Sequence, residues 1–231
     1  MISLFLVLSS LGFAGKEEPV CAEITKNVVK GYTQMAATYE ATLKSTYMVS
    51  PKEIDKFFRS LEPKSRILDA GCGPGVESEV GLRFGHEMVG LDITPKMIER
   101  YMAAMPGSKA AVGSIAALPF EDEAFDGVLM ASSLLHVDNK TGRQALNESS
   151  RVLRKEGKML LATMVGSGVG EFHSREALAK AGVESLYFYY WERAKLKEAL
   201  SDAGFAITSW SEKELVQGRP AWVFIELIKR R

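Results

Sequence analysis

The chain has 231 residues, 46% of them hydrophobic and 25% charged, which fits one globular domain of ordinary size with length for a sizeable core. Lys and Arg together number 29, as do Asp and Glu, so the net charge is zero; no field is available to gather a polyanion, and nucleic acid is not an expected partner. The two cysteines, Cys21 and Cys72, have no CxxC spacing, which argues against a disulfide framework and against a zinc site, and no metal is expected.

Residues 1–22 stand apart. Ile2 to Ala14 is apolar and nearly uncharged, yet shorter than the roughly 20 residues that a membrane-spanning helix needs. Two readings stay open. One is a targeting or membrane-anchoring segment, with small residues around Val20-Cys21-Ala22 at a cleavage-like spacing but no Lys or Arg ahead of the apolar stretch. The other is an extra helix packed on the domain or on a second subunit. Residues 23–61 read as an N-terminal helical cap. Ile24, Val28, Met35 and Tyr39 recur at helical spacing over 23–47, with Gly31 as a weak break. Pro51 opens a short second helix through Leu61, at the first-turn position where proline is tolerated.

From residue 62 a rhythm begins. Strand 66–71 ends in a glycine turn and leads to helix 76–85. Strand 87–93 leads to helix 95–105. Strands 109–114 and 125–132 follow, then a long amphipathic helix 141–157 closed by Gly157, and strand 158–165. The loop 166–182 is long enough to act as a lid, and His173 within it reads as solvent-exposed. Helix 192–205 and two strands, 206–215 and 221–230, complete the chain. Strands alternating with helices predict an α/β fold, a mostly parallel sheet with helices on both faces. The last two strands, joined by a turn with Gly218 and Pro220, leave no room for a crossover helix and should be antiparallel.

The stretch "LDAGCGPG" (68–75) follows a strand and opens a helix, the place where open α/β sheets bind ligands. Gly71, Gly73 and Gly75 let backbone approach a ligand closely. The spacing is not the G-x-G-x-x-G of dinucleotide-binding turns, and Asp69 stands just before it. A carboxylate there suits a ligand with positive charge and no phosphate, as S-adenosylmethionine is, with its sulfonium and ammonium. Asp92 ends the second strand, where a carboxylate can accept both ribose hydroxyls.

With these residues on view, the chain resembles the class I S-adenosylmethionine-dependent methyltransferases, in the broad group of small-molecule enzymes that includes the ubiquinone and menaquinone C-methyltransferases. The likeness runs from about residue 28 to 231. It rests on "ILDAGCGPG" (67–75), "VGLDIT" (89–94), "GSIAALPFEDEAFDGVLMASSLLHV" (113–137) and "LNESSRVLRKEGKMLLAT" (146–163) together. The resemblance implies a Rossmann-like seven-stranded sheet ordered 3-2-1-4-5-7-6 with the last strand antiparallel. It implies S-adenosyl-L-methionine as cofactor, methyl transfer by in-line displacement, and a methyltransferase domain over 62–231 with a lid and acceptor-pocket insertion around 166–191. The cofactor is expected against Asp69, Ala70, Gly71, Cys72, Gly73, Gly75, Asp92, Ile93, Met97, Ser114, Ile115 and Ser132, with Ser133 and Leu134 also near its methionine end. Ser114 stands where relatives often carry an acid.

Tyr32 and Tyr39 are expected to fold over the cofactor, where an aromatic face attracts a sulfonium. His136, after the fourth strand, is the one candidate general base; a pocket-wall role is the alternative, since proximity and alignment can supply most of the acceleration. Leu134, His136, Tyr187, Tyr189 and Trp191 are expected to wall the acceptor pocket, the last three by strand alternation. Cys72 should only fill space. The expected partner is a small-molecule methyl acceptor. Protein methylation, or a non-catalytic cofactor-binding partner subunit, is the alternative. The protein is expected in the cytoplasm, as a monomer or homodimer, with membrane association as the lesser alternative.

Overall fold

The structure, a computed structural model, describes residues 19–39, 51–173, 178–179, 182–214 and 220–230. In chain order these form α1 (Pro19–Met35), α2 (Pro51–Ser60), β1 (Arg66–Ala70), α3 (Val76–Arg83), β2 (Glu87–Asp92), α4 (Pro95–Ala104), β3 (Lys109–Val112) and β4 (Phe125–Ala131). A 3₁₀ turn (Leu134–His136), α5 (Asn139–Val152), β5 (Leu153–Val165), β6 (Gly170–His173), β7 (Leu186–Tyr189), α6 (Arg193–Asp202), β8 (Phe205–Lys213) and β9 (Ala221–Lys229) follow.

Seven strands form one sheet in the order β3-β2-β1-β4-β5-β9-β8. The first five run parallel, and β9 is antiparallel to both β5 and β8. This is the expected order, with β8 and β9 as its sixth and seventh strands. The central strands carry unbroken apolar runs because helices cover both faces. Ile67 and Leu68 of β1, Val128 to Met130 of β4 and Met159 to Ala162 of β5 are sealed from water. Each such side chain stabilises the fold by about 1.5–3 kcal/mol on burial.

Three expectations are corrected. The long helix does not reach Gly157: α5 ends at Val152, and Leu153 to Gly157 already belong to β5. A β-bulge between Phe125 and Gly127 and a left-handed Glu156 (φ 62°) absorb the change. The polar run Arg154-Lys155-Glu156 looked like a helix face, but it is exposed strand. Second, the stretch 166–182 is not a plain loop, since β6 pairs antiparallel with β7 as a separate ribbon. Third, Gly31 does not break α1. It lets the helix approach β7, because a Cβ there would lie 2.9 Å from the Leu186 Cδ1 methyl.

Helix α1 therefore lies against the ribbon instead of the sheet. Asn27 fixes the contact: its Nδ2 donates to the Ser185 carbonyl (3.1 Å) and its Oδ1 accepts from the Tyr187 N–H (3.0 Å). One side chain thus completes both backbone groups at the start of β7. The apolar segment 1–18, the end of the first expected helix beyond Tyr39, and Gly218 of the last turn lie outside the described residues. Among the described residues no helix is long and apolar enough to cross a membrane.

Candidate cofactor and acceptor site

The carboxyl ends of β1, β2, β3 and β4 open on a cavity of about 400 Å³. The glycine turn forms its floor. Gly71, Gly73 and Gly75 have φ of 86°, 50° and 95°, conformations costly for residues with a Cβ. Space adds to the demand. A Cβ on Gly71 would lie 2.3 Å from that of Ser133, and one on Gly75 would lie 2.1 Å from the Met105 methyl. Gly73 differs: a Cβ there would only touch the Tyr39 ring, with Cε1 at 3.8 Å. The turn is tied to β2, since Gly71 and Cys72 both donate N–H bonds to the Leu91 carbonyl (2.7 and 2.9 Å).

Asp92 stands at the lip of β2. One carboxylate oxygen accepts the Gly73 N–H (3.0 Å) and the other the Thr94 N–H (2.7 Å). Each oxygen keeps a lone pair for a further donor. Asp69 lies deeper, 1% exposed, and accepts a 2.6 Å bond from the Ser78 hydroxyl, which in turn accepts from Tyr101. Burial, with the charges of Glu77 and Asp92, pushes the Asp69 carboxyl up to about 8. Burial also raises Glu77, and it raises Asp92 against the opposing pull of its backbone N–H partners. No basic side chain is among the groups that shift these three acids. Three acidic side chains thus gather at the turn, and burial favours the neutral form of each.

The upper wall comes from α1 and the segment after β4. Val28, Tyr32 and Tyr39 face Ser132, Ser133 and His136. Ser132 sits in the left-handed region (φ 65°), and Ser133 donates to the Ala70 carbonyl (2.7 Å), locking this segment onto the glycine turn. His136 Nδ1 lies 2.7 Å from the Tyr187 carbonyl and Nε2 lies 2.6 Å from the Tyr32 hydroxyl. A carbonyl only accepts, so Nδ1 carries the proton and Nε2 accepts from Tyr32. Burial first, then the charge of Asp92, keeps the Tyr32 phenol protonated.

The far wall was read from the sequence at Ile93, Ser114 and Ile115 only. The segment Gly113 to Ala117, after β3, lines the cavity beside Ile93 and Thr94. Arg151 on α5 holds the continuation of that segment, donating to the Leu118 and Phe120 carbonyls (3.0 and 2.8 Å) and pairing with Glu148. Glu148 in turn accepts the Leu118 N–H (2.8 Å). Cys21, Thr25, Val137, Asp138, Lys140, Thr141 and Gln144 complete the lining.

Of the expected site residues, Tyr32, Tyr39, Gly71, Gly73, Asp92, Ile93, Ser114, Ile115, Ser132 and His136 line the cavity. Asp69, Ala70, Cys72, Gly75 and Met97 lie behind the lining. Cys72 packs with Tyr101 and Met105, and burial holds its thiol protonated. Leu134, Tyr187, Tyr189 and Trp191 do not line it either. The alternation argument fails because all of 186–191 is buried, and Trp191 packs on α5 where Gly142 leaves it room. Their neighbour Phe188 is the ring that meets His136, at 4.9 Å between centroids. Missed residues include Glu77 and the Thr25, Thr141 and Gln144 group, none of which carries a motif of its own.

Residues 68–161 match the family described as methyltransferase domain. The chain is similar to methyltransferases over that stretch and beyond it. It is 31% identical over 112 residues to a demethylmenaquinone methyltransferase of Renibacterium salmoninarum, covering 48% of this chain and 46% of that protein. It is 28% identical over 151 residues to an 18S rRNA (guanine-N7)-methyltransferase of Schizosaccharomyces pombe, covering 63% and 50%. The chain thus spans about half the length of these two relatives. Its fold is that of a Burkholderia thailandensis 1,6-didemethyltoxoflavin N1-methyltransferase solved with its acceptor and S-adenosylhomocysteine, at 16% identity, a TM-score of 0.64, and coverage of 94% of this chain and 93% of that one.

Proposed function

We propose that the cavity at the glycine turn holds S-adenosylmethionine and a small-molecule acceptor together. The observation that carries this reading is the trio Asp69, Glu77 and Asp92 gathered at the glycine turn, with no basic side chain of the described residues among the groups that shift them. Those carboxylates suit a ligand carrying an ammonium and a sulfonium, and they oppose a pyrophosphate. Asp92 would take the ribose hydroxyls. Ile93 and Ile115 would flank the adenine, Ser114 to Ala117 would meet its edge, and Tyr39 and Ser132 would meet the methionine end. When bound, the cofactor supplies an activated methyl group. The chain's own residues hold the two reactants in line, exclude water with Tyr32 and Tyr39, and fix the orientation of the His136 ring. In-line positioning of this kind supplies most of the rate that a reactive methyl donor needs.

The small-molecule reading is supported by the confined cavity, roofed by α1, and by the absence of net charge. The likeness to a ribosomal RNA methyltransferase favours a second reading, an RNA acceptor, which the neutral charge opposes. Because the cofactor is made in the cytosol, the cytoplasm is the proposed location. The test is direct. Calorimetry should show binding of S-adenosylmethionine and S-adenosylhomocysteine with micromolar affinity, about −8 kcal/mol, and none of NAD. Labelled methyl should then enter the small-molecule fraction of a metabolite extract. Label found only in RNA or protein would overturn the small-molecule reading.

A further inference from the structure

One face of α1 lines the cavity along its length. Cys21, Thr25, Val28 and Tyr32 all reach the lining, at the three- and four-residue steps of a single helical face. The two ends of that face meet different chemistry. Tyr32 packs edge-on against Tyr39, at 5.9 Å between centroids, and Tyr39 overlooks Gly73 of the glycine turn. That is the cofactor's end. From Tyr32 back to Cys21 the helix spans about 16 Å. There the Cys21 Sγ lies 3.4 Å from the Thr141 Oγ1 on α5. A cleft between α1 and α5 thus leads away from the glycine turn, with Val28 and Val137 in its middle and Thr25, Thr141 and Gln144 farther out. Thr25 and Thr141 are half-buried, and Gln144 is exposed at the rim. Among the described residues neither the Thr25 hydroxyl nor the Gln144 amide makes a hydrogen bond, so each keeps a donor and an acceptor for a ligand.

We propose, resting on the acceptor reading above, that Thr25, Thr141 and Gln144 select the acceptor by its far end. The class they select is a molecule without phosphate or carboxylate, apolar in its middle. It carries a hydroxyl, keto or amide group about 10 Å from the atom that takes the methyl, the rise of α1 from Thr25 to Tyr32. Val28, Val137 and the methyl groups of Ala116 and Ala117 meet the apolar middle. Hydroxyl and amide side chains both donate and accept, so they satisfy an uncharged polar end whichever way it points. An acceptor with a plain hydrocarbon end would desolvate the Thr25 hydroxyl and leave it unpaired, and sites built this way reject such analogues. Charge excludes anions. Lys140 is the one Lys or Arg among the described lining residues, and it is exposed, where an ion pair is worth little. The amino end of α5 is already taken, because the Asp138 carboxylate accepts the Thr141 N–H at 2.7 Å. An anionic group beside Thr141 would meet that carboxylate and no buried cation. None of the three residues reaches the methyl group; they act on which molecule enters.

The test has two arms on the full chain. In the first, iodoacetamide reads the cleft without any acceptor in hand. Cys21 is half-buried on the cleft and Cys72 is buried, so Cys21 is the thiol that reacts. Saturating S-adenosylhomocysteine should slow its modification by less than about twofold, and the modified protein should keep its S-adenosylhomocysteine affinity within about threefold while methyl transfer to a metabolite extract falls about tenfold or more. Cys21→Ser should make transfer indifferent to the reagent. Full protection of Cys21 by S-adenosylhomocysteine, or undiminished transfer after modification, overturns the cleft as the acceptor's path. In the second arm, labelled methyl from the cofactor marks the acceptor in the extract, and mass spectrometry identifies it. Thr25→Val with Gln144→Leu should raise KM for that acceptor about tenfold, the loss of two hydrogen bonds, with kcat within about threefold. A labelled small molecule whose KM does not move, or one that carries phosphate or carboxylate, overturns the selection and leaves the small-molecule reading standing. Label in no small molecule removes the proposal together with the reading it rests on.

Discussion

Asp92 holds a fold detail while keeping lone pairs open to the cavity. Its two oxygens already bind the N–H groups of Gly73 and Thr94, so its remaining lone pairs are fixed in direction before a ribose arrives. Asp92→Ala should weaken S-adenosylmethionine by about 2 kcal/mol or more, about 30-fold, with the circular dichroism unchanged; calorimetry reads the loss. Asp69 makes a different prediction. With its carboxyl raised to about 8, the folded protein holds a proton that the unfolded chain releases at an ordinary carboxylate pH. Stability contributed through Asp69 therefore falls as pH rises from that ordinary value toward about 8. A cationic ligand favours the ionised form, so binding should expel the proton, and cofactor affinity should rise with pH up to about 8. Calorimetry in buffers of different ionisation heat counts the released proton, and Asp69→Asn should abolish the count. The sequence made Asp92 and the glycines legible because a strand end and a turn impose local demands. Glu77 and Gln144 were illegible for the opposite reason: their place depends on how separate helices meet, and no short motif encodes that.

At the scale of elements, α5 does two tasks. Its amino end carries Asp138, which caps the helix by accepting the Thr141 N–H at 2.7 Å, and its carboxyl end carries Arg151, which grips the segment after β3. Arg151→Met should free Leu118 and Phe120 carbonyls and loosen the wall at Ser114 to Ala117. Loss of these charge-assisted bonds is expected to cost about 2 kcal/mol, seen as a lower denaturation midpoint, and to weaken S-adenosylhomocysteine several-fold. Unchanged binding in that variant would show that the wall holds its shape without the grip. Strand rhythm from residue 66 onward was readable because buried parallel strands must be apolar throughout. The end of α5 was misread because the polar run Arg154-Lys155-Glu156 continues the exposed face of the helix, and only pairing with β4 decides otherwise. The β6–β7 ribbon was hidden for a similar reason, since its four-residue strands carry too little periodicity to outweigh the surrounding glycines.

At the scale of the whole molecule the described residues share one main apolar core, in which the seven-stranded sheet with its helices is the larger part. The smaller body, α1 with the β6–β7 ribbon, packs on it around His136 and along α4. The smaller body holds fewer sealed strands, so its amides should exchange with solvent before those of β1, β4 and β5. Because Asn27 ties α1 to β7, hydrogen exchange by mass spectrometry should find the two opening together, and S-adenosylhomocysteine should slow both. Asn27→Ala should uncouple them; if α1 and β7 already exchange at unrelated rates in the unmodified protein, the smaller body does not move as a unit.

Strand β9 lies between β5 and β8, yet of the nine strands among the described residues it is the last to be made. Until Ala221 to Lys229 has left the ribosome, β5 presents the unpaired edge of Lys158 to Val165, a row of apolar residues open to any passing strand. The ligand-lining residues, all between 21 and 144, are translated long before that edge is closed. A growing chain is thus most exposed to misassociation late in its synthesis, and a ribosome halted just before residue 221 should yield a nascent chain that recruits chaperones, whereas the chain carried through Arg231 and released should hold a folded sheet.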